Sequence, residues 1–266
     1  LAPYVADGWA RALAVAGRIT DDDRRAQALA TLAPYVADGW ARALSAAEQI
    51  TTENRKASAL AALAPHLPTE LMPRVLAVAE QITDDFWKAL VLEALAPHLP
   101  TELMPYALPA AEQITTDSYE ARALAALAAR LPAALVPRAL AAAGQMTVDD
   151  HKVLVVVALA PHVADGWTRA LETAEQITND FDKGRALETL ARHLPAELIP
   201  RALAAAEQIT HDGSKAHALA ALAPYVADGW ARALEAAEQI ESSLWKATQL
   251  AALAQHLPAE LMPRAL

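Results

Sequence analysis

The sequence predicts an all-α fold, an αα-hairpin solenoid (superhelix) of 31–32-residue repeats. Three observations predict it. The leucine of an "LAP" tripeptide or its equivalent recurs at Leu1, Leu32, Leu63, Leu95, Leu127, Leu159, Leu190, Leu222 and Leu253. That spacing gives eight full repeats plus a partial ninth, and a fixed period of this size is the signature of stacked repeat units. Each repeat carries two apolar stripes at 3-and-4 spacing, so about 17 helices are expected. Sustained period-2 alternation is absent, and the abundant alanine is poor in sheets. The repeat makes residues 1–266 a single array without internal domain boundaries.

The first helix of each repeat, helix A, starts in one of two ways. In four repeats the start is "VADGW", with Asp7, Asp38, Asp165 or Asp228 placed to accept a backbone N–H as N-cap. In the others it is "LPTEL", "LPAEL" or "LPAAL", one residue longer, which explains most of the 31/32 alternation. Pro68 suits a first helical turn and Glu70 favours the positive helix end. Pro73 must sit in the first turns or kink the helix. Helix A, expected near 68–82, then runs through Leu76, Ala79 and Ile82.

A tight connection follows at "QIT". Thr83 and Asp85 are the two candidate N-caps for helix B, expected near 84–97. In the eighth repeat Glu241 replaces the threonine, leaving Ser242 and Ser243. In the first repeat Ala26, Leu29, Leu32, Ala33 and Val36 mark helix B's buried stripe, and Pro34 ends or bends the last turn. Helices of roughly 12–15 residues would make hairpins about 20 Å long. A lone hairpin cannot bury both faces; stacked neighbours can.

At the level of the repeat, "LAPHLPxELMPRALAAAEQIT" resembles the alanine- and leucine-rich tandem helical repeats of bacterial proteins, similar in style to TPR arrays. The likeness spans essentially the whole chain, although the period is shorter than the 34 residues of a TPR. It implies a sensor or partner-binding region of a larger bacterial protein, beside a signalling NTPase module. A cytoplasmic setting is favoured. The uncapped look of both ends fits a segment of a longer chain, or ends that stack on another copy.

Bulk chemistry narrows the function classes. The net charge is −10, and Cys is absent. Thiol catalysis and disulfides are therefore excluded, and a basic stripe for nucleic acid is not expected. No apolar run approaches the ~18 residues that span a bilayer. Five histidines recur at the end of helix B: His66, His98, His162, His193 and His256. They read as helix C-terminal residues, since equivalent positions are too far apart to share one ion. Trp9, Trp40, Trp167 and Trp230 of "DGW" read as packing against the preceding helix B. Arginines at 11, 42, 74, 138, 169, 201, 232 and 264 and glutamates at 48, 80, 112, 175, 207 and 238 form two ladders. Those ladders make inter-repeat ion pairs, an anion-binding row, or only a solvated face. Polar groups recur and never converge as unlike residues, so no enzyme, metal or cofactor is expected.

The repeats differ most at two adjacent positions. These read Asp23–Arg24, Asn54–Arg55, Phe86–Trp87, Ser118–Tyr119, Asp150–His151, Phe181–Asp182, Gly213–Ser214 and Leu244–Trp245. A third position, three residues later, reads Gln27, Ser58, Leu90, Arg122, Leu154, Arg185, His217 and Thr248. At 100° per residue these fall on one face of helix B, roughly opposite its buried stripe. Surface drift would make such a face variable, but it does not favour paired aromatics, which are enriched at interfaces. The expected function is protein or peptide binding, with Arg24, Arg55, Phe86, Trp87, Tyr119, His151, Phe181 and Trp245 as contact residues. The alternative is a structural spacer or a self-assembling element with end-to-end association.

Overall fold

The computed structural model describes residues 8–36 and 38–265. The expectations placed on Leu1, Asp7, Leu266 and the Asp23 side chain lie outside the described residues. The fold is the expected all-α hairpin array: seventeen α-helices and no strand among the described residues. By its contacts the chain forms two compact units, Leu1–Ala139 and Leu140–Leu266. The first holds α1 (Gly8–Ala16), α2 (Asp22–Leu32), α3 (Gly39–Glu48), α4 (Glu53–Leu63), α5 (Met72–Glu80), α6 (Asp85–Leu95), α7 (Met104–Glu112) and α8 (Asp117–Ala128). The division falls within α9 (Val136–Gln145). The second holds α10 (Asp149–Leu159), α11 (Gly166–Gln176), α12 (Asp180–Ala191), α13 (Ile199–Glu207), α14 (Asp212–Leu222), α15 (Gly229–Gln239), α16 (Ser243–Ala254) and α17 (Met262–Ala265). Odd-numbered helices are the A helices, even-numbered ones the B helices.

Consecutive B helices pack on one another in each unit: α2 on α4, α4 on α6 and α6 on α8 in the first, α10 on α12, α12 on α14 and α14 on α16 in the second. The core lies between this layer and the A helices. Leu76, Ala79 and Ile82 are buried on the A side, and Leu60, Leu92 and Leu124 are fully buried on the B side. In the first repeat Ala26, Leu29 and Ala33 are buried, whereas Leu32 and Val36 are only half-buried.

The helices are shorter than expected, 9–12 residues for all but α17. The "TEL" segment at Thr69–Leu71 forms a 3-10 turn, and α5 begins at Met72 with Pro73 in its first turn. There the missing proline N–H costs nothing. At the other end Pro65 sits in the 3-10 turn Ala64–His66 that follows α4.

Three local expectations are corrected. Neither Thr83 nor Asp85 caps α6; Asp84 does, its Oδ1 accepting from the Trp87 N–H at 3.2 Å. Asp38 and Asp165 do occupy the N-cap position, but with left-handed φ of 60° and 59° and no side-chain cap. Asp228 likewise makes no cap bond; its carboxylate accepts from Arg232 Nε at 2.9 Å. The "DG" pair turns the chain rather than capping it. A Cβ on Gly166 would lie 2.1 Å from the Ala160 carbonyl oxygen, so helix A starts in backbone contact with the end of the preceding B helix. Finally, the tryptophans pack on the following B helix. Trp40 stacks on His66 at 5.6 Å, Trp167 on His193 at 5.7 Å, Trp230 on His256 at 5.8 Å and Trp9 on Tyr35 at 4.3 Å. An antiparallel hairpin brings the start of A beside the end of its own B helix, which is why.

Two sets of hydrogen bonds tie neighbouring repeats. On the A side, Arg74 Nε donates to Glu48 Oε1 at 2.6 Å, Arg138 to Glu112 at 2.8 Å and Arg201 to Glu175 at 2.7 Å. Arg232 pairs with Glu207, and Arg264 with Glu238 at 2.8 Å. Five arginines of one ladder thus pair with glutamates of the other across repeats, and all five pairs are partly solvated, so each is a weak contributor. Tyr106 breaks the row opposite Glu80, and Gly144 stands where Arg169 would meet a glutamate. On the B side, the first-turn carboxylates Glu53, Asp85 and Asp180 each hold the A–B connection of the next repeat. Glu53 accepts from the N–H and hydroxyl of Thr83 at 3.1 and 2.9 Å. Asp180 accepts from the Thr210 N–H at 2.9 Å and the His211 N–H at 2.7 Å.

Candidate recognition surface

Each unit carries a groove on the outer face of its B helices. In the first unit a groove of about 570 Å³ runs over α2, α4 and α6. The variable residues Gln27, Asn54, Arg55, Ser58 and Trp87 line it, together with Trp40 and His66. In the second unit a groove of about 950 Å³ runs over α12, α14 and α16. Its walls include the variable residues Phe181, Arg185, Gly213, Ser214, His217 and Trp245. Both volumes lie in the range that holds ligands. Positions that change from repeat to repeat thus contribute to the lining of both grooves.

The eight candidate residues divide into groups. Arg55 is exposed and shares the first groove with Trp87. Phe86, Trp87 and Tyr119 are half-buried. Phe86 meets Trp87 edge-on at 4.6 Å and Tyr119 at 5.4 Å, so part of its ring is spent on packing α6 against α8. Phe181 and Trp245 line the second groove and are 62% and 63% exposed. Arg24 is exposed and His151 half-buried, and neither lines either of these two grooves. The His151 Nδ1 atom is buried without a hydrogen-bond partner among the described residues.

Polar bonding across the B layer adds residues that the variable positions alone do not reveal. Arg122 Nη2 donates to Glu93 at 2.8 Å, and His217 Nε2 lies 2.8 Å from Glu188. Glu93 and Glu188 hold the same repeat position, which is Ala or Val in the other six repeats. Only after these two glutamates does the next repeat bring Arg122 or His217 into reach in this way. That correlation within the chain is the signal that finds them. Arg185 pairs with Asp150 at 3.4 Å and lies over the Phe181 ring at 5.9 Å.

One frame position reverses charge. It reads Arg25, Lys56, Lys88, Glu120, Lys152, Lys183, Lys215 and Lys246. Lys88 is buried, its Nζ 3.5 Å from Gln113 Oε1. Burial, with Asp117 and Glu112 nearby, pushes the Glu120 carboxyl up to about 7.

Fold and surface together define a class: an αα-hairpin repeat protein with grooves on its B-helix layer. No family model and no curated protein matches the chain. A solved structure from the computational design of self-assembling cyclic protein homooligomers is similar at 21% identity. The match covers 96% of this chain and 84% of that one, with a TM-score of 0.15, too low to carry an argument. Among the described residues no helix is long and apolar enough to cross a membrane.

Proposed function

We propose that this chain is a non-enzymatic binding module that recognises a protein or peptide through the outer face of its B helices, as the recognition region of a larger protein. One observation supports the reading: in both units positions that vary between otherwise similar repeats form part of the groove lining. A fixed frame with varying surface positions is how a repeat array supplies a specific surface, since repeats stack through the frame and bind through the remainder. Aromatic residues on such a face contribute about 2 kcal/mol or more when they act as anchors. Selection of binding peptides from a random display library, followed by a Phe86→Ala, Trp87→Ala double variant and a Phe181→Ala, Trp245→Ala double variant, tests it. Ligands that keep full affinity for both folded variants would move the interface off this face.

A second reading, self-association, is favoured by α16. Leu244 is 74% exposed, and Ala247 is exposed where its counterpart Ala216 in α14 is buried. A second copy, or a further repeat of a longer chain, stacked on α16 would cover that surface. Sedimentation across a concentration series distinguishes the two, because a pure recognition module stays monomeric.

A further inference from the structure

We propose that the groove over α12, α14 and α16 takes a basic peptide segment, with an arginine or lysine side chain seated against the rings of Phe181 and Trp245. The inference rests on the B-face reading above and adds the chemistry of the partner. Three features of the groove point the same way. The first is space: α14 packs between α12 and α16, and its variable pair, Gly213–Ser214, is the smallest of the eight. No large side chain fills the hollow between the helices that carry the two exposed rings.

The second is charge. Four carboxylates, Asp180, Glu188, Asp212 and Glu241, line the groove against one guanidinium, Arg185. The cations are already engaged: Arg185 pairs with Asp150 at 3.4 Å, and His217 meets Glu188 at 2.8 Å. Asp180 is engaged too, in the bonds to Thr210 and His211. The carboxylates of Asp212 and Glu241 have no hydrogen-bond or ion-pair partner among the described residues. The unspent charge of the groove is therefore negative, and its complement is a cation. The first unit's groove is different, lined by Arg55 and by no carboxylate.

The third feature is a precedent inside the molecule. The Phe181 ring already carries a guanidinium, that of Arg185, 5.9 Å from its centroid. An aromatic face attracts a cation electrostatically, most strongly for Trp. The exposed indole of Trp245 offers the better ring of the pair, with Glu241 four residues before it on the same wall.

The test uses the whole chain and a display library of random short peptides. Variants are first matched to the parent for helical signal and thermal midpoint. The expected result is enrichment of Arg- and Lys-rich sequences whose affinity falls about thirtyfold or more, a hot-spot-sized loss, in Phe181→Ala, Trp245→Ala. A comparable loss in Asp212→Asn, Glu241→Gln is expected, together with weakening as salt is raised. The carboxylate pair is isosteric and on the surface, so it decides the matter if the aromatic pair fails to fold. Enrichment of neutral or acidic sequences overturns the charge assignment and leaves the B-face reading standing. Basic peptides unaffected by the carboxylate pair overturn the site in the same way. No enrichment of any sequence overturns both readings.

Discussion

One carboxylate oxygen of Asp85, Oδ2, accepts from the backbone N–H of Thr116 at 2.9 Å and from its hydroxyl at 2.8 Å, one repeat further along the chain. The same oxygen accepts from the Thr115 N–H at 3.1 Å and hydroxyl at 2.7 Å. A side chain in the first turn of α6 thus holds the start of α8. Asp85→Ala is expected to cost about 1–2 kcal/mol, the scale of losing a helix cap, read as a shift of the urea midpoint. An unchanged midpoint would mean that water replaces the carboxylate without loss.

The same bonds predict acid sensitivity. Hydrogen bonds from the Thr83 N–H and hydroxyl hold the Glu53 carboxyl below its ordinary range. Burial pushes the Asp85 carboxyl up, but the bonds from Thr115 and Thr116 outweigh it and bring the net shift down. The Thr210 hydroxyl does the same for Asp180. A carboxyl that titrates lower in the folded chain contributes stability that is present above its unfolded value and lost as pH falls through the folded one. Stability should therefore decline on acidification from pH about 5 downward, with a shallower decline in Asp85→Asn. A parent-like acid slope in that variant would contradict the assignment.

Glu120 works in the opposite sense. Burial, with Asp117 and Glu112 beside it, raises its carboxyl to about 7. What it contributes is complete below its unfolded value of 4.5 and is lost as pH rises through about 7. Glu120→Gln should flatten that part of the stability profile, and Glu120→Lys, which restores the residue type of six other repeats, should stabilise at pH 8. Equal stability of Glu120→Gln and parent across the whole range would contradict the prediction.

Two glycines should respond oppositely to the same substitution. Gly166→Ala places a methyl 2.1 Å from the Ala160 carbonyl oxygen, and backbone cannot yield cheaply. A loss of about 1–3 kcal/mol is expected, as for overpacking a core. Gly144→Ala meets nothing within 4 Å and should gain about 0.5–1 kcal/mol by removing a helical glycine. Gly144→Glu should add an ion pair to Arg169, worth ~0–1 kcal/mol. Thermal midpoints of the three variants settle the order.

Leu92 is fully buried. Leu92→Ala should cost about 2–5 kcal/mol through lost burial and the cavity left behind. Denaturant titration that detects no loss would place the core elsewhere.

The period, the two-helix unit and the buried stripes were legible because they depend only on spacing along one chain. Which positions vary was legible for the same reason, but their exposure was not: Phe181 and Trp245 are exposed, Phe86, Trp87 and Tyr119 half-buried and Ser214 buried. What failed depends on register between repeats. Thr83 and Asp85 both look like caps in a single-repeat reading; Asp84 takes that role because Asp85 is turned to the next repeat and Thr83 is held by the previous one. The tryptophans of "DGW" and the histidines of "APH" lie far apart along one repeat, yet the antiparallel hairpin stacks them. Phe86 is half-buried because Tyr119, one repeat on, reaches its edge, and no count within one repeat shows that contact.

The carboxylate that reaches forward and the threonine that is reached share one repeat, as Asp85 and Thr83 do. A duplicated unit therefore inherits both halves of its bonding to its neighbours. Copies of such a unit can be inserted beside one another by recombination without a new junction having to evolve. Array length and the sequence of groove residues become heritable variables that change in steps of one repeat.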